Sequence, residues 1–248
     1  MFAHAIESWH SWRVRFFKHG KRAQLDKNPN DVAEMFSTVA PRYDLLNDLA
    51  SLGQDRHWRS SMIDALAPQP SELILDLAAG TGASSIPISR AGAKVISTDL
   101  TEAMVDVGHQ RHPHHVFVVG DALDLPYSDE VFDAVTISFG LRNVYDPARV
   151  LSELLRVVRH GGSLVICEFS SPTSFLTRFI HRTWLKMALP IISKLSTNAP
   201  AYSYLCDSIL DWPDQRGLAV MLESAGWTNI QWRNLTGGIV ALHRATRP

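Results

Sequence analysis

Apolar residues recur along this chain at two periods, and the change from one to the other marks its organisation. Between Asp31 and Leu66, Val32, Met35, Phe36 and Val39 return at three- and four-residue spacing, and Trp58, Met62, Ile63 and Leu66 repeat it. That spacing predicts two helices joined by a loop. Pro68 and Pro70 then break the chain. Beyond them short β-rich apolar runs alternate with helical stretches, predicting strands from Leu73 to Leu77, Lys94 to Thr98, His115 to Val119, Ala134 to Ser138 and Ser163 to Glu168. Between the last two, Val150, Leu151, Leu154, Leu155, Val157 and Val158 make one helical face. Asp146 can cap this helix, Pro147 suits its first position, and Gly161 and Gly162 supply the stop. Gly217 to Ala225 predicts a further helix. Asn229 to Leu235 and Ile239 to His243, separated by Thr236, Gly237 and Gly238, predict an antiparallel hairpin. Such βαβ alternation implies an α/β fold: a mainly parallel seven-stranded sheet with a C-terminal antiparallel hairpin and an N-terminal helical cap.

At 248 residues the chain suits one domain over 28–248, divided into a cap (28–67), a cofactor-binding half (68–170) and a substrate-side helix with the terminal strands (171–248). Residues 1–27 form a basic extension in which Arg13, Arg15, Lys18, Lys21, Arg22 and Lys27 interleave with Trp9, Trp12, Phe16 and Phe17. A loosely ordered terminus and a membrane-surface contact both fit it. The net charge of −1 speaks against a nucleic-acid partner. Only Cys167 and Cys206 are present, with no CxxC pair, so no metal is expected and a reducing, cytoplasmic location is. No apolar run approaches the ~18 residues of a membrane span.

The chemistry concentrates at predicted strand ends. Leu73 to Gly82 is a strand entering a Gly80-Thr81-Gly82 turn, with a helix expected from Ser84. Glycines there permit positive φ and close backbone approach to a ligand, and the helix start offers free N–H groups. Alone, this pattern equally describes a tight turn. Asp99 ends the next strand, placed to accept from ribose hydroxyls, and Asp121 follows the third, placed to accept from an adenine amino group. Singly, either carboxylate fits a cap or turn. Asp76, inside the first strand, suits a cationic sulfonium better than a pyrophosphate. The set favours S-adenosylmethionine over a nicotinamide dinucleotide, and the strand arrangement resembles the Rossmann-like class I methyltransferases.

Several longer blocks narrow this. Arg42-Tyr43-Asp44, Gly53-Gln54-Asp55-Arg56-His57-Trp58-Arg59, Phe139-Gly140-Leu141-Arg142-Asn143, Glu168-Phe169-Ser170-Ser171-Pro172, Tyr202-Ser203-Tyr204-Leu205 and Gly237-Gly238-Ile239-Val240-Ala241-Leu242-His243 resemble the C-methyltransferases of menaquinone and ubiquinone biosynthesis. The resemblance runs from about Leu25 to the end, with Ala83 where the family carries aspartate after its Gly-Thr-Gly. It implies cofactor contacts at Thr81, Asp99, Asp121, Ala122 and Ser138. The block around Trp58 looks more like the menaquinone branch, implying a polyprenylated demethylmenaquinol as acceptor. A ubiquinone-pathway benzoquinol and another small soluble molecule are the alternatives.

Methylating a ring carbon demands an electron-rich ring, hence a reduced quinone and a partly deprotonated hydroxyl, with donor and acceptor held in line. Arg142 and Asn143, after the fourth strand, are the candidates to touch the quinol oxygens. Arg142 could stabilise a phenolate or be half of a structural ion pair. Tyr43 is a second candidate contact to the ring, or ordinary packing. His109, His112, His114 and His115 fit a solvated connection, and His243 the core. Between Phe175 and Lys194, Leu176, Ile180, Trp184 and Met187 oppose Arg178, Arg182 and Lys186. This basic amphipathic helix fits packing onto the domain or resting on the inner face of an anionic membrane. A homodimer is also left open.

Overall fold

The computed structural model describes residues 27, 29–40, 43–195 and 199–248. Except for Lys27, the basic extension lies outside the described residues, as do Arg42 and the side chains of Lys186, Met187 and Tyr202. The strands are β1 Leu73–Leu77, β2 Lys94–Asp99, β3 Val116–Val119, β4 Phe132–Ser138, β5 Val158–Phe169, β6 Thr228–Leu235 and β7 Val240–Thr246. They form one sheet in the order β3-β2-β1-β4-β5-β7-β6. β1 to β5 run parallel, and β7 returns antiparallel between β5 and β6. This is the arrangement the hydrophobic pattern predicts. Strand order reverses between β1 and β4, which opens a crevice at their carboxyl ends.

Both sheet faces are covered, which explains why the central strands are almost wholly apolar. On one face α6 Pro147–Val157 and α9 Gln215–Ser224 bury Leu151, Leu154, Leu218 and Leu222 against Leu75, Val135 and Leu164, with Trp227 wedged beside them. On the other, α3 Gln54–Leu66 brings Trp58, Met62 and Leu66 onto Ile74, Val165 and Leu242. Each such aliphatic side chain contributes roughly 1.5–3 kcal/mol by leaving water.

Three differences from the sequence expectation stand out. The cap holds three helices, because α2 Tyr43–Ala50 lies between α1 Pro29–Val39 and α3. At eight residues α2 is too short to stand on its own period and depends on docking. The helix α6 opens as expected, with Asp146 Oδ1 accepting from Arg149 N–H at 3.0 Å, but Gly161 and Gly162 do not stop it. It passes into β5 directly at Val158, and both glycines lie within that strand. A Cβ on Gly162 would stand 2.7 Å from the Asp133 carbonyl oxygen, so close strand approach is what requires glycine there. Finally, α7 Phe175–Leu195 is followed by a helix that periodicity did not reveal, α8 Ala199–Asp211. Among the described residues no helix is long and apolar enough to cross a membrane.

Candidate active site at the carboxyl edge of the sheet

Two cavities meet over the ends of β1, β2 and β4. The first, a cleft of about 1060 Å³, is lined by Gly80, Thr81, Asp99, Asp121, Ala122 and Ser138, with Tyr43 and Asn143 completing it. The second, a slot of about 1180 Å³, runs between Trp58, Phe139, Phe169 and the helix α7, and Arg142 lines it. Tyr43, Arg59 and Phe139 belong to both walls. Nine of the eleven candidate residues thus converge on adjoining spaces; Asp76 and Gly82 line neither.

The strands leave the sheet at this edge through two left-handed non-glycine residues, Ala78 (φ 53°) after β1 and Phe139 (φ 58°) after β4. Each costs about 1–3 kcal/mol and needs its surroundings to hold it. Phe139 is gripped between Trp58 and Phe169, with ring centroids 5.7 and 5.2 Å away, and the Arg59 guanidinium lies 5.4 Å over its ring. The turns press together so closely that a Cβ on Gly140 would fall 2.4 Å from that of Ala78.

Beneath the glycine turn, Asp76 is fully buried and accepts the Ser85 hydroxyl at 2.5 Å; its Oδ1 has no partner. Burial raises its carboxyl to about 6. Its job in this geometry is to anchor the start of α4 Ser85–Arg90. Gly82 (φ 93°) faces the Phe117 ring, 2.9 Å from where a Cβ would sit, so it serves helix–sheet packing. Asp99 is gripped by backbone donors, Gly80 N–H at 2.8 Å and Thr101 N–H at 2.9 Å, while burial pushes its carboxyl upward. Asp121 Oδ1 accepts from Leu123 N–H at 2.9 Å. The Thr81 hydroxyl donates to the Asp44 carboxylate of α2, and Ser138 bonds Ser84 and the Met62 sulfur, at 2.9 and 3.0 Å.

Arg142 pairs with Glu168 at 2.9 Å, both nearly inaccessible at 5% and 1% exposure, and also donates to the Phe139 carbonyl. The guanidinium stacks 5.0 Å from Phe169, and its Nε has no partner. Asn143 donates to the same carbonyl at 3.4 Å, leaving Oδ1 buried and unpaired.

Sequence reading missed Arg59, Lys27 and His181. Arg59 donates to Ser84 Oγ at 2.6 Å and lies 3.8 Å from Asp55; only its place in the Trp58 block hinted at it. Lys27, assigned to the extension, lines the cleft 5.9 Å from the Trp212 ring, and burial lowers its pKa. His181 lies on the slot face of α7 beside Ile180, Trp184 and Leu185, at helical spacing. The other described histidines do not reach either cavity: His112 and His115 stack edge to face at 6.0 Å, and buried His243 bonds the Gln215 carbonyl.

The profile of the ubiE/COQ5 methyltransferase family matches residues 23–247. The chain is 52% identical over 227 residues to a demethylmenaquinone methyltransferase of Streptomyces griseus subsp. griseus, covering 91% of this chain and 99% of that one. It is 51% identical to a protein of the same name from Mycolicibacterium paratuberculosis, covering 92% and 98%. A crystallised SAM-dependent methyltransferase from Thermotoga maritima superposes with a TM-score of 0.63 at 19% identity, over 88% of this chain and 100% of that one, which establishes the shared fold.

Two outcomes are expected. Folded Asp76 holds its proton up to about pH 6, whereas the unfolded chain releases it near 4, so stability falls as pH rises through that window. Asp76→Asn removes its share of the slope and leaves the part that the raised Asp99 carboxyl contributes, gaining on the wild type by about 3 kcal/mol above pH 6 in urea unfolding of the ligand-free protein. Arg142→Met leaves Glu168 buried and unpaired and lowers stability by roughly 3–5 kcal/mol, and adding Glu168→Leu restores most of that loss in the same measurement.

Proposed function

The chain belongs to the ubiE/COQ5 methyltransferase family, and from that we propose that it transfers a methyl group from S-adenosylmethionine to a ring carbon of demethylmenaquinol, giving menaquinol. The observation that carries this reading is the shared wall of Tyr43, Arg59 and Phe139, where a cleft carrying Asp99, Asp121, Thr81 and Ser138 opens beside an aromatic-lined slot.

The cleft residues fit S-adenosylmethionine. Burial raises the Asp99 carboxyl, and a cation bound in the cleft would favour its charged form. Asn143 Oδ1 is a buried acceptor in want of a donor, which an amino group provides. When bound, the cofactor supplies an electrophilic methyl group on sulfur. Asp99 would take the ribose hydroxyls, because its two backbone donors fix the carboxylate without using all its acceptor capacity. Asp121 and Ala122 would border the adenine, and Thr81 and Ser138 shape the wall. Arg59 offers charge to the methionine carboxylate.

In the slot Arg142 presents a fixed cation whose orientation Glu168 and the Phe139 carbonyl determine. A preorganised charge of this kind stabilises negative charge developing on a quinol oxygen without reorganisation. Asn143 and Tyr43 flank the passage between the two spaces, where they would align ring and methyl group. The apolar walls favour a prenylated ring over a small soluble acceptor.

The slot also reaches an apolar surface. Ile180 and Leu52 line it yet remain exposed, and Phe175, Leu176 and Phe179 continue the patch along α7. Arg178 and Arg182 are interspersed, and α7 carries no acidic residue. The occupant this combination suits is an anionic bilayer, from which a prenyl tail enters the slot.

Labelled S-adenosylmethionine with chemically reduced demethylmenaquinone is expected to yield ring-methylated menaquinone, while the oxidised quinone gives none; transfer to neither overturns the assignment. Wild-type protein is expected to float with phosphatidylglycerol vesicles, and an Arg178→Glu, Arg182→Glu variant to stay in the soluble fraction. Equal flotation of the two, or none by wild type, removes the membrane contact.

A further inference from the structure

We propose that His181 is the catalytic base of the transfer: its imidazole, set in the slot wall, takes the hydroxyl proton of the reduced ring as the new carbon–carbon bond forms. This role rests on the quinol reading above and assigns the proton acceptor which that reading leaves unnamed.

The geometry works by elimination within one cavity. The described titratable side chains lining the slot are Tyr43 from α2, Asp55 and Arg59 from α3, Arg142 after β4, and His181 from α7. The two guanidiniums present donors and no acceptor. A tyrosine phenol is itself a proton donor at neutral pH. Asp55 is committed within α3, 3.8 Å from Arg59 and receiving the Ser51 hydroxyl at 3.4 Å. His181 remains. It is 7% exposed, yet among the described residues no hydrogen bond engages its ring. Its ring nitrogens are not walled off from the slot, so a hydroxyl held there can reach them. His243 makes the contrast: at 1% exposure it lies outside the slot, its Nε2 bonded to the Gln215 carbonyl and its Nδ1 sealed in without a partner.

The surroundings also keep the imidazole neutral and ready. Burial lowers its pKa, and the fixed cations Arg59 and Arg142 share its cavity. Among the described side chains of α8, Leu205 and Ile209 line the slot, the Cys206 thiol bonds the Leu185 carbonyl at 3.6 Å, and the buried Tyr204 phenol, near Arg142 and Glu168 and outside the slot lining, is pushed up by burial. A neutral imidazole is a competent acceptor near pH 7.

The step balances as follows. The hydroxyl O–H bond breaks, its proton goes to the imidazole, and its electron pair becomes the carbonyl π bond. The ring's π pair forms the bond to the methyl carbon while the methyl–sulfur pair departs onto sulfur, leaving a neutral thioether. The methylated ring carbon then gives its hydrogen to water as a proton, and the imidazolium returns its own to the carbonyl oxygen, restoring the aromatic quinol. One proton reaches solvent for each methyl transferred.

The test compares wild type, His181→Asn and His181→Gln across about pH 5.5–9 with reduced demethylmenaquinone, alongside calorimetric cofactor binding. Expected is a kcat loss of roughly 100-fold or more, with cofactor affinity unchanged, KM within about threefold, and the acidic limb of the kcat profile gone. In the wild type, the His181 imidazole signal, assigned by sequential connectivity along α7, is expected to titrate with that same limb. That measurement decides the matter even if both variants fold poorly. Variants with near-normal kcat and an unaltered acidic limb, or a wild-type signal whose titration does not follow it, overturn the role alone. Wild-type protein that binds cofactor but leaves the reduced ring unmethylated overturns the quinol reading and this role together.

Discussion

Two opposite charges taken out of water hold the active site in shape. Burying Arg142 and Glu168 costs several kcal/mol per ion, repaid only through good geometry and further hydrogen bonds. Those bonds are present: Glu168 accepts from the Arg142 and Phe169 backbone N–H groups, at 3.3 and 2.8 Å, and Arg142 reaches the Phe139 carbonyl. The pair thereby ties the end of β4 to the end of β5 and fixes the two phenylalanines that wall the slot. Apolar residues could fill this volume with no loss of stability, so the buried cation calls for a reason other than stability, and the proposed steadying of a negative quinol oxygen supplies one.

Around this pair the cap couples cofactor cleft and acceptor slot. Asp44 of α2 receives the Thr81 hydroxyl and pairs with Arg111 of α5 Glu102–Arg111, fastening the cap across the glycine turn. From α3, Arg59 bonds Ser84, Met62 receives the Ser138 hydroxyl, and Trp58 donates to Thr236 at 2.8 Å in the turn before β7. The same two helices therefore contact the loop that would cradle the cofactor and the walls that would enclose the ring, and a shift of one cavity is felt in the other. The strained turns at Ala78 and Phe139 are tolerable because this packing holds them from several directions.

Most of the cleft was legible before any coordinates. Asp99, Asp121 and Gly80 announce themselves as cleft lining because strand ends and tight turns are local events, and a parallel sheet opens its crevice at that edge. Roles of individual atoms were not legible. Asp76 looked like a cofactor contact and is the anchor of α4; Gly82 looked like a ligand approach and makes room for Phe117. Thr81 lines the cleft, yet its hydroxyl belongs to Asp44. Each distinction depends on which way a side chain leaves a tightly wound turn, which residue type alone does not determine.

By itself the amino-acid order determined the strand pattern, the seven-stranded α/β architecture and the family, because hydrophobic periodicity and turn residues act over a few positions. Only the tertiary structure decided that Arg142 would meet Glu168, that Arg59 and Tyr43 would wall both cavities, and that His181 would face an apolar slot. Those encounters join residues far apart along the chain, brought together by helices docking over a sheet. No local pattern encodes them, since they arise only when every element has buried its apolar face.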